Sequence, residues 1–133
     1  MKKIIQTFLC LSIALLSINV FAQDKTYPSG TIKIIVPLPA GSGTDISARF
    51  YGEQLSQSLK VPVVVENKPG ANSIIAVRSF LEAPADGYTL FLGTNTPISV
   101  NPIAVKNLPY NPDIDFKPIH GLAKWMSVYV VNK

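Results

Sequence analysis

The residues best suited to bind a ligand form a short loop rich in glycine and hydroxyl groups, from Pro37 to Asp45. An apolar run, Ile32 to Val36, precedes this loop, and a segment with helical spacing follows it. Backbone amides at the start of a helix have no partner within the helix, so they can donate to a carboxylate or a phosphate. The Ser42 and Thr44 hydroxyls could complete such a site. The alternative is a tight strand-to-helix turn in which glycine only allows the backbone to adopt the required conformation. The local sequence leaves both interpretations open.

The same loop lacks the residues of the well-known reactive loops. A P-loop needs a Lys-Ser or Lys-Thr pair after its glycines, and the loop has neither. The G-x-G-x-x-G pattern does not match, and no G-x-S-x-G surrounds Ser42. His120 is the single histidine, which leaves no typical metal set and no catalytic triad. Asp113 and Asp115 lie in a proline-punctuated stretch and are interpreted as turn residues. We therefore predict a protein that is not an enzyme and uses no metal and no cofactor.

A second polar stretch, Gly93-Thr94-Asn95-Thr96, follows the third strand predicted along the chain. The carboxyl ends of parallel strands gather at one edge of a sheet. We therefore expect this stretch to lie near the first loop and to form a two-loop polar site with it. The alternative is a polar loop that ends in an ordinary helix cap.

The elements that must position these loops follow the order β-α-β-α-β. Short connections between them predict an α/β fold with a parallel sheet and right-handed crossovers. The first helix is expected to bury Ile46, Phe50, Leu55 and Leu59. The second is expected to place Ile74, Val77 and Leu81 on one face. The predicted strands are Thr31–Val36, Val61–Glu66, Tyr88–Leu92 and Ser127–Val131, and the predicted helices are Asp45–Lys60, Ser73–Ala83 and a short one within Pro97–Val105.

The amino terminus indicates export. A short basic start, an apolar core from Ile4 to Val20 and small or aliphatic residues up to Ala22 are typical of a secretory signal peptide cleaved after Ala22. A retained membrane anchor is the alternative, although the run is at the short end for a span. Cys10 lies inside the apolar core, too early for a lipoprotein site, so the mature chain is expected to have no thiol.

The charges give no sign of a nucleic-acid partner. The whole chain carries a formal charge of +4, and loss of Lys2 and Lys3 with the leader lowers it to +2. The remaining basic residues are scattered and form no stripe with interleaved aromatic residues, so we predict no nucleic-acid binding.

Ordered short motifs along residues 27–133 give the chain a specific resemblance. It resembles the periplasmic substrate receptors of tripartite tricarboxylate transporters, the TctC/Bug family. The matching pieces are Tyr27-Pro28-Ser29, Ile34-Ile35-Val36-Pro37, Gly43-Thr44-Asp45-Ile46-Ser47-Ala48-Arg49, Val63 to Ala71, Ala85 to Leu90, Gly93-Thr94, Asn101-Pro102, Leu108-Pro109-Tyr110, Asp115 to Ile119 and Val130-Val131-Asn132.

The resemblance implies a periplasmic binding protein-like (type II) fold, with two α/β lobes that close on a small organic acid. It also implies a periplasmic, monomeric receptor that passes this ligand to membrane permease subunits. Main-chain amides and bridging waters of two loops would hold the ligand carboxylate. The implied ligand-binding residues are Leu38, Pro39, Ala40, Gly41, Ser42, Gly43, Thr44, Asp45, Gly93, Thr94, Asn95 and Thr96.

The chain departs from the family pattern in two turns and in length. Ser42 interrupts a run that is usually all glycine, and Asn72-Ser73-Ile74-Ile75 replaces a more glycine-rich turn. Family receptors are much longer than 133 residues. We therefore expect a leader at 1–22, a partial first lobe at 23–126 and the truncated start of a crossover at 127–133. An exported sensing or interaction module without a transporter is the alternative function, and the identity of the acid stays open.

Overall fold

The computed structural model describes residues 26–124 and 130–131. The expected leader, Cys10, the cleavage site and most of the strand predicted at 127–131 lie outside these residues. Within the described part, no helix has both the length and the apolar character that a membrane crossing requires.

A parallel three-stranded sheet forms the centre of the fold, as the order of elements predicted. Its strands are β1 (Ile32–Val36), β2 (Val63–Asn67) and β3 (Thr89–Phe91), arranged in the order β2-β1-β3. Ile34 pairs with Val65 on one side and with Leu90 on the other. The β-branched, apolar composition of β1 suits a strand covered on both faces, and four of its five residues are buried. This central strand leads directly into the first candidate loop.

The three predicted helices lie close to their predicted segments but differ at their ends, and a further helix at Pro112–Asp115 was not predicted. The second helix begins at Ile74 and not at Ser73, because Ala71, Asn72 and Ser73 all have positive φ values and form a separate short turn. Asp113 and Asp115, which were interpreted as turn residues, lie in a single-turn helix that Asn111 caps, and the Asn111 backbone amide donates to Asp115. The helices are α1 (Gly43–Leu59), α2 (Ile74–Leu81), α3 (Asn101–Ala104) and α4 (Pro112–Asp115), with a 3-10 turn at Ala71–Ser73 and a π-helical turn at Thr96–Val100.

The face that α1 turns towards the sheet consists of small residues. The expectation that Ile46 and Phe50 are buried is wrong, since these side chains are 61% and 59% exposed. Thr44, Asp45, Ala48 and Gly52 are buried instead. A Cβ at Gly52 would lie 3.4 Å from the Val63 side chain, so the helix backbone approaches the sheet closely. Small residues on this face bring the start of α1 close to the end of β1.

Aromatic rings cover part of the opposite face of the sheet. Phe116 stacks on Phe80 with ring centroids 5.6 Å apart and also contacts Phe91 of β3. On α2, Ala76 and Val77 are buried, whereas Leu81, which was predicted to share a face with Val77, is exposed. The aromatic contacts hold the segment after α3 against β3.

A core substitution tests this architecture. Ile34 is 2% exposed and packs with Val36 and Ala48, so we expect Ile34→Ala to lower the free energy of unfolding by about 2–5 kcal/mol. Ile103 is 90% exposed, and the matched Ile103→Ala control should change it by less than about 0.5 kcal/mol. Urea denaturation followed by circular dichroism measures both. Equal losses for the two variants would contradict the described core.

Candidate ligand-binding site

The first candidate loop ends in a capped helix start. Ser42 has the extended backbone of an N-cap (φ −69°, ψ 160°), and its Oγ accepts a hydrogen bond from the Asp45 amide at 3.3 Å. The Ser42 carbonyl accepts the first helical bond from Ile46 at 2.9 Å, and the Ser42 amide donates to Pro39 at 3.2 Å. Ser42 is therefore the N-cap of α1, and Thr44 lies inside the first turn of the helix.

Two adjacent amides at this helix start are left available. Within residues 26–124, the amide groups of Gly43 and Thr44 donate to no acceptor. They stand at the positive end of a 17-residue helix, where partial charges favour an anion. Gly43 is exposed, and the hydroxyl of the largely buried Thr44 has no hydrogen-bond partner among the described residues. The arrangement offers two backbone donors and one hydroxyl to a carboxylate-sized group.

The Asp45 carboxylate, by contrast, is fully engaged inside the protein. Its Oδ2 accepts from the Gly41 amide at 2.8 Å and from Arg49 Nε at 3.1 Å. Its Oδ1 accepts from Asn67 Nδ2 at 2.9 Å and lies 3.0 Å from Arg49 Nη2. Asp45 is 3% exposed. It serves the site by shaping the loop around it.

The donors around Asp45 also change its acidity. The side-chain hydrogen bond from Arg49 contributes most, followed by the Gly41 amide and the Asn67 side chain, and together they lower the pKa of Asp45 to about 2. Asp45 therefore stays ionised far below neutral pH, and its charge is matched by the guanidinium of Arg49.

Asn67 and Arg49 were not identified as site residues from the sequence. Asn67 ends β2, and its Nδ2 also donates to the Leu38 carbonyl at 3.1 Å, while its Oδ1 accepts from Arg49 Nη2 at 3.1 Å. The spacing of Asp45 and Arg49 by four residues is a signal for their ion pair. Asn67 gave only the weaker signal of a polar residue at a strand end.

The second candidate loop leaves the same edge of the sheet from the neighbouring strand. The Leu92 amide donates to the Ile35 carbonyl at 3.0 Å, which extends the pairing to Leu92, one residue before Gly93. A Cβ at Gly93 would lie 2.5 Å from the Phe91 ring, so only glycine fits there with this ring position. The Thr94 hydroxyl accepts from the Thr96 amide at 3.4 Å and bends the loop into its π-helical turn. Gly93 and Asn95 are exposed, and Thr94 and Thr96 are half-buried.

A buried polar network fixes the far end of the second loop. Asn101, 1% exposed, donates through Nδ2 to the Asn72 carbonyl at 2.8 Å and to the Tyr110 hydroxyl at 3.0 Å. The Tyr110 hydroxyl in turn donates to the Pro97 carbonyl at 2.8 Å. The turn before α2 and the loop after β3 are thereby tied together beside the site.

Comparison with known proteins identifies the family. A family model described as the tripartite tricarboxylate transporter family receptor matches residues 47–133, which is more than half of the 133-residue chain. The chain belongs to this receptor family. The matched region begins at Ser47, so it starts after the N-cap Ser42 and after the free amides of Gly43 and Thr44. A UPF0065 protein from Bordetella bronchiseptica is 40% identical over 112 residues, which are 84% of this chain and 33% of that relative. The chain thus spans about a third of the length of this curated relative.

Two solved structures resemble this chain in fold and sequence. MatC from Rhodopseudomonas palustris, solved with bound malate, is 33% identical with a TM-score of 0.61, and the match covers 69% of this chain and 31% of MatC. An R. palustris protein solved with adipate is 30% identical with a TM-score of 0.62, and the match covers 65% of this chain and 29% of that protein. The fold is therefore that of the periplasmic binding proteins, as the sequence motifs implied.

The low pKa of Asp45 predicts a specific change in the stability of this chain in acid. The folded pKa of about 2 lies below the usual 3.8, so the charged carboxylate stabilises the fold fully above about pH 4, and this stabilisation is lost as pH falls through about 2. We expect Asp45→Asn to be less stable at neutral pH and the gap to wild type to narrow between about pH 4 and 2. Urea midpoints across this range measure the gap. If the urea midpoints of wild type and Asp45→Asn changed in parallel with pH, the low pKa of Asp45 would be contradicted.

Proposed function

We propose that this receptor binds a small organic acid by its carboxylate at the start of α1 and delivers it to the membrane permease of a tripartite uptake system. The main support is the pair of free amides at Gly43 and Thr44. They lie next to Asp45, whose negative charge is already compensated by Arg49. A carboxylate has two oxygens and can accept both amides at once. The protein binds its ligand and transforms nothing.

The chemistry of similar proteins supports this ligand class. Malate and adipate, the ligands of the two similar structures, are both dicarboxylates with short aliphatic chains. In this receptor the proposed contacts come from Leu38–Asp45 and Gly93–Thr96, whose loops leave neighbouring parallel strands at one edge. One carboxylate would lie at the α1 start, and the second loop would contact the remainder of the acid through hydroxyl and amide groups.

The protein would be exported, and its chain would divide into a leader and parts of two lobes. Residues 1–22 would direct export to the periplasm and be removed after Ala22. Residues 23–126 would form the first ligand-binding lobe, and 127–133 would begin the crossover to the second. A monomer would meet the permease after closing on its ligand.

A titration tests the proposed ligand class. We expect malate and adipate to shift the backbone amide signals of Leu38, Ala40–Asp45 and Gly93–Thr96 in ¹⁵N–¹H spectra of the chain, with chloride at equal ionic strength as the control. Because the described residues supply one wall of the site, binding should be weaker than a Kd of about 1 mM. If the shifts saturated at ligand concentrations below about 1 mM, the expectation that one wall binds weakly would be contradicted. Shifts that avoid both loops would contradict the proposed site.

A proline substitution isolates the contribution of one amide. Gly43 is the first residue of α1, where proline is well tolerated, and the backbone of Ser42 already has the extended conformation that a following proline requires. Gly43→Pro therefore removes the amide donor and keeps the helix start. We expect the malate-induced shift of Thr44 per unit concentration to fall about tenfold, as for a lost hydrogen bond to a charged group. Gly43→Ala retains the amide and serves as the matched control. An equal malate-induced shift in both variants would exclude the Gly43 amide as a donor to the ligand.

A further inference from the structure

The first loop is held by polar contacts where side-chain packing is sparse. Pro39, Ala40, Gly41 and Gly43 are all exposed. Gly41 has a φ of +82°, and nothing lies within 4 Å of the position its Cβ would take. Such a segment keeps one conformation only if hydrogen bonds fix it, because few van der Waals contacts restrict it. The contacts that fix it converge on Asp45.

We define the Asp45 clamp as the side chains of Asp45, Arg49 and Asn67. Asn67 reaches the loop at both ends, through the Leu38 carbonyl at 3.1 Å and the Asp45 carboxylate at 2.9 Å. Arg49 contacts both other members, at 3.0 Å from Asp45 and 3.1 Å from Asn67. Asp45 returns to the loop tip through the Gly41 amide at 2.8 Å. One member stands on β2 and two stand on α1, so the clamp ties the loop to both elements.

We propose that Asn67 and Arg49 are positioning residues for ligand binding, which act through Asp45 and do not touch the ligand. This inference rests on the proposed function and adds two residues to it. The clamp fixes the path from Leu38 to Asp45, and this path sets the direction of the free amides at Gly43 and Thr44.

Arg49 has a second, electrostatic part in this role. The Asp45 carboxylate lies in the same first turn of α1 as the free amides, so an uncompensated charge there would repel a ligand carboxylate. The guanidinium of Arg49 compensates it with two contacts. Lysine at this position would keep the charge but lose the planar fork that serves both Asp45 and Asn67. Geometry and charge can therefore be separated by substitution.

The test compares Asn67→Ala, Arg49→Lys and Arg49→Gln in the full chain. Matched controls are Asn107→Ala and Arg78→Lys, since Asn107 and Arg78 are exposed and their side chains make no hydrogen bond or ion pair within the described residues. Three quantities are measured by ¹⁵N–¹H spectroscopy and calorimetry. They are the exchange rate of the Gly41 amide without ligand, the shift of Thr44 per unit malate, and the melting temperature.

We expect the clamp variants to exchange the Gly41 amide about tenfold faster and to lose most of the malate response. Arg49→Gln should lose more of this response than Arg49→Lys, because it removes the compensating charge as well. The Ile34 amide in β1 should stay protected, and the controls should match wild type. A purely structural role would lower the melting temperature while folded molecules kept the wild-type response, and this result would overturn the inference.

The design also separates this inference from the proposed function. Arg49 is 55% exposed in its side chain, so the Arg49 variants remain decisive even if Asn67→Ala fails to fold. If wild type responds to neither malate nor adipate, the proposed function fails, and the Gly41 exchange rate alone decides on the clamp. If the Gly41 amide exchanged at the wild-type rate in folded Arg49 variants, the clamp inference would be overturned, whether or not wild type responds to a ligand.

Discussion

The buried carboxylate of Asp45 joins the three parts of the chain that meet at the candidate site. It accepts hydrogen bonds from the loop at Gly41, from α1 at Arg49 and from the end of β2 at Asn67. A charge removed from water is costly unless donors surround it. The loop, the helix and the strand must therefore keep their relative positions for the charge to stay satisfied. The placement of the free amides at the start of α1 follows from this constraint.

The overall fold was accessible from the sequence, whereas the buried face of its first helix was not. Runs of β-branched residues bounded by Pro and Gly located the strands, and their alternation with helical segments predicted the parallel sheet. The face of α1 was misassigned because periodicity favours large apolar residues such as Ile46 and Phe50. The actual contact uses Ala48 and Gly52, since a close approach to the sheet requires small side chains. Hydropathy alone does not encode that distance.

The two loops of the candidate site were located from the sequence because strand ends of a parallel sheet share an edge. The clamp behind the first loop was missed for a different reason. Asn67 is 22 residues from Asp45 along the chain, and its side chain carries no charge to suggest a partner. Only the register of β1 with β2, which pairs Val36 with Asn67, brings this amide to the loop. Long-range pairing of this kind depends on the assembled sheet, and local patterns do not contain it.

The packing at Gly93 restricts the order in which this chain can accept mutations. A side chain at position 93 would collide with the Phe91 ring where it now lies, so Phe91 must move or become smaller first. Phe91 also contacts Phe80 and Phe116, whose rings cover that face of the sheet. The first step therefore weakens the core before the second step can alter the loop. A change of residue at position 93 is therefore coupled to the stability of the aromatic cluster, and glycine avoids that cost.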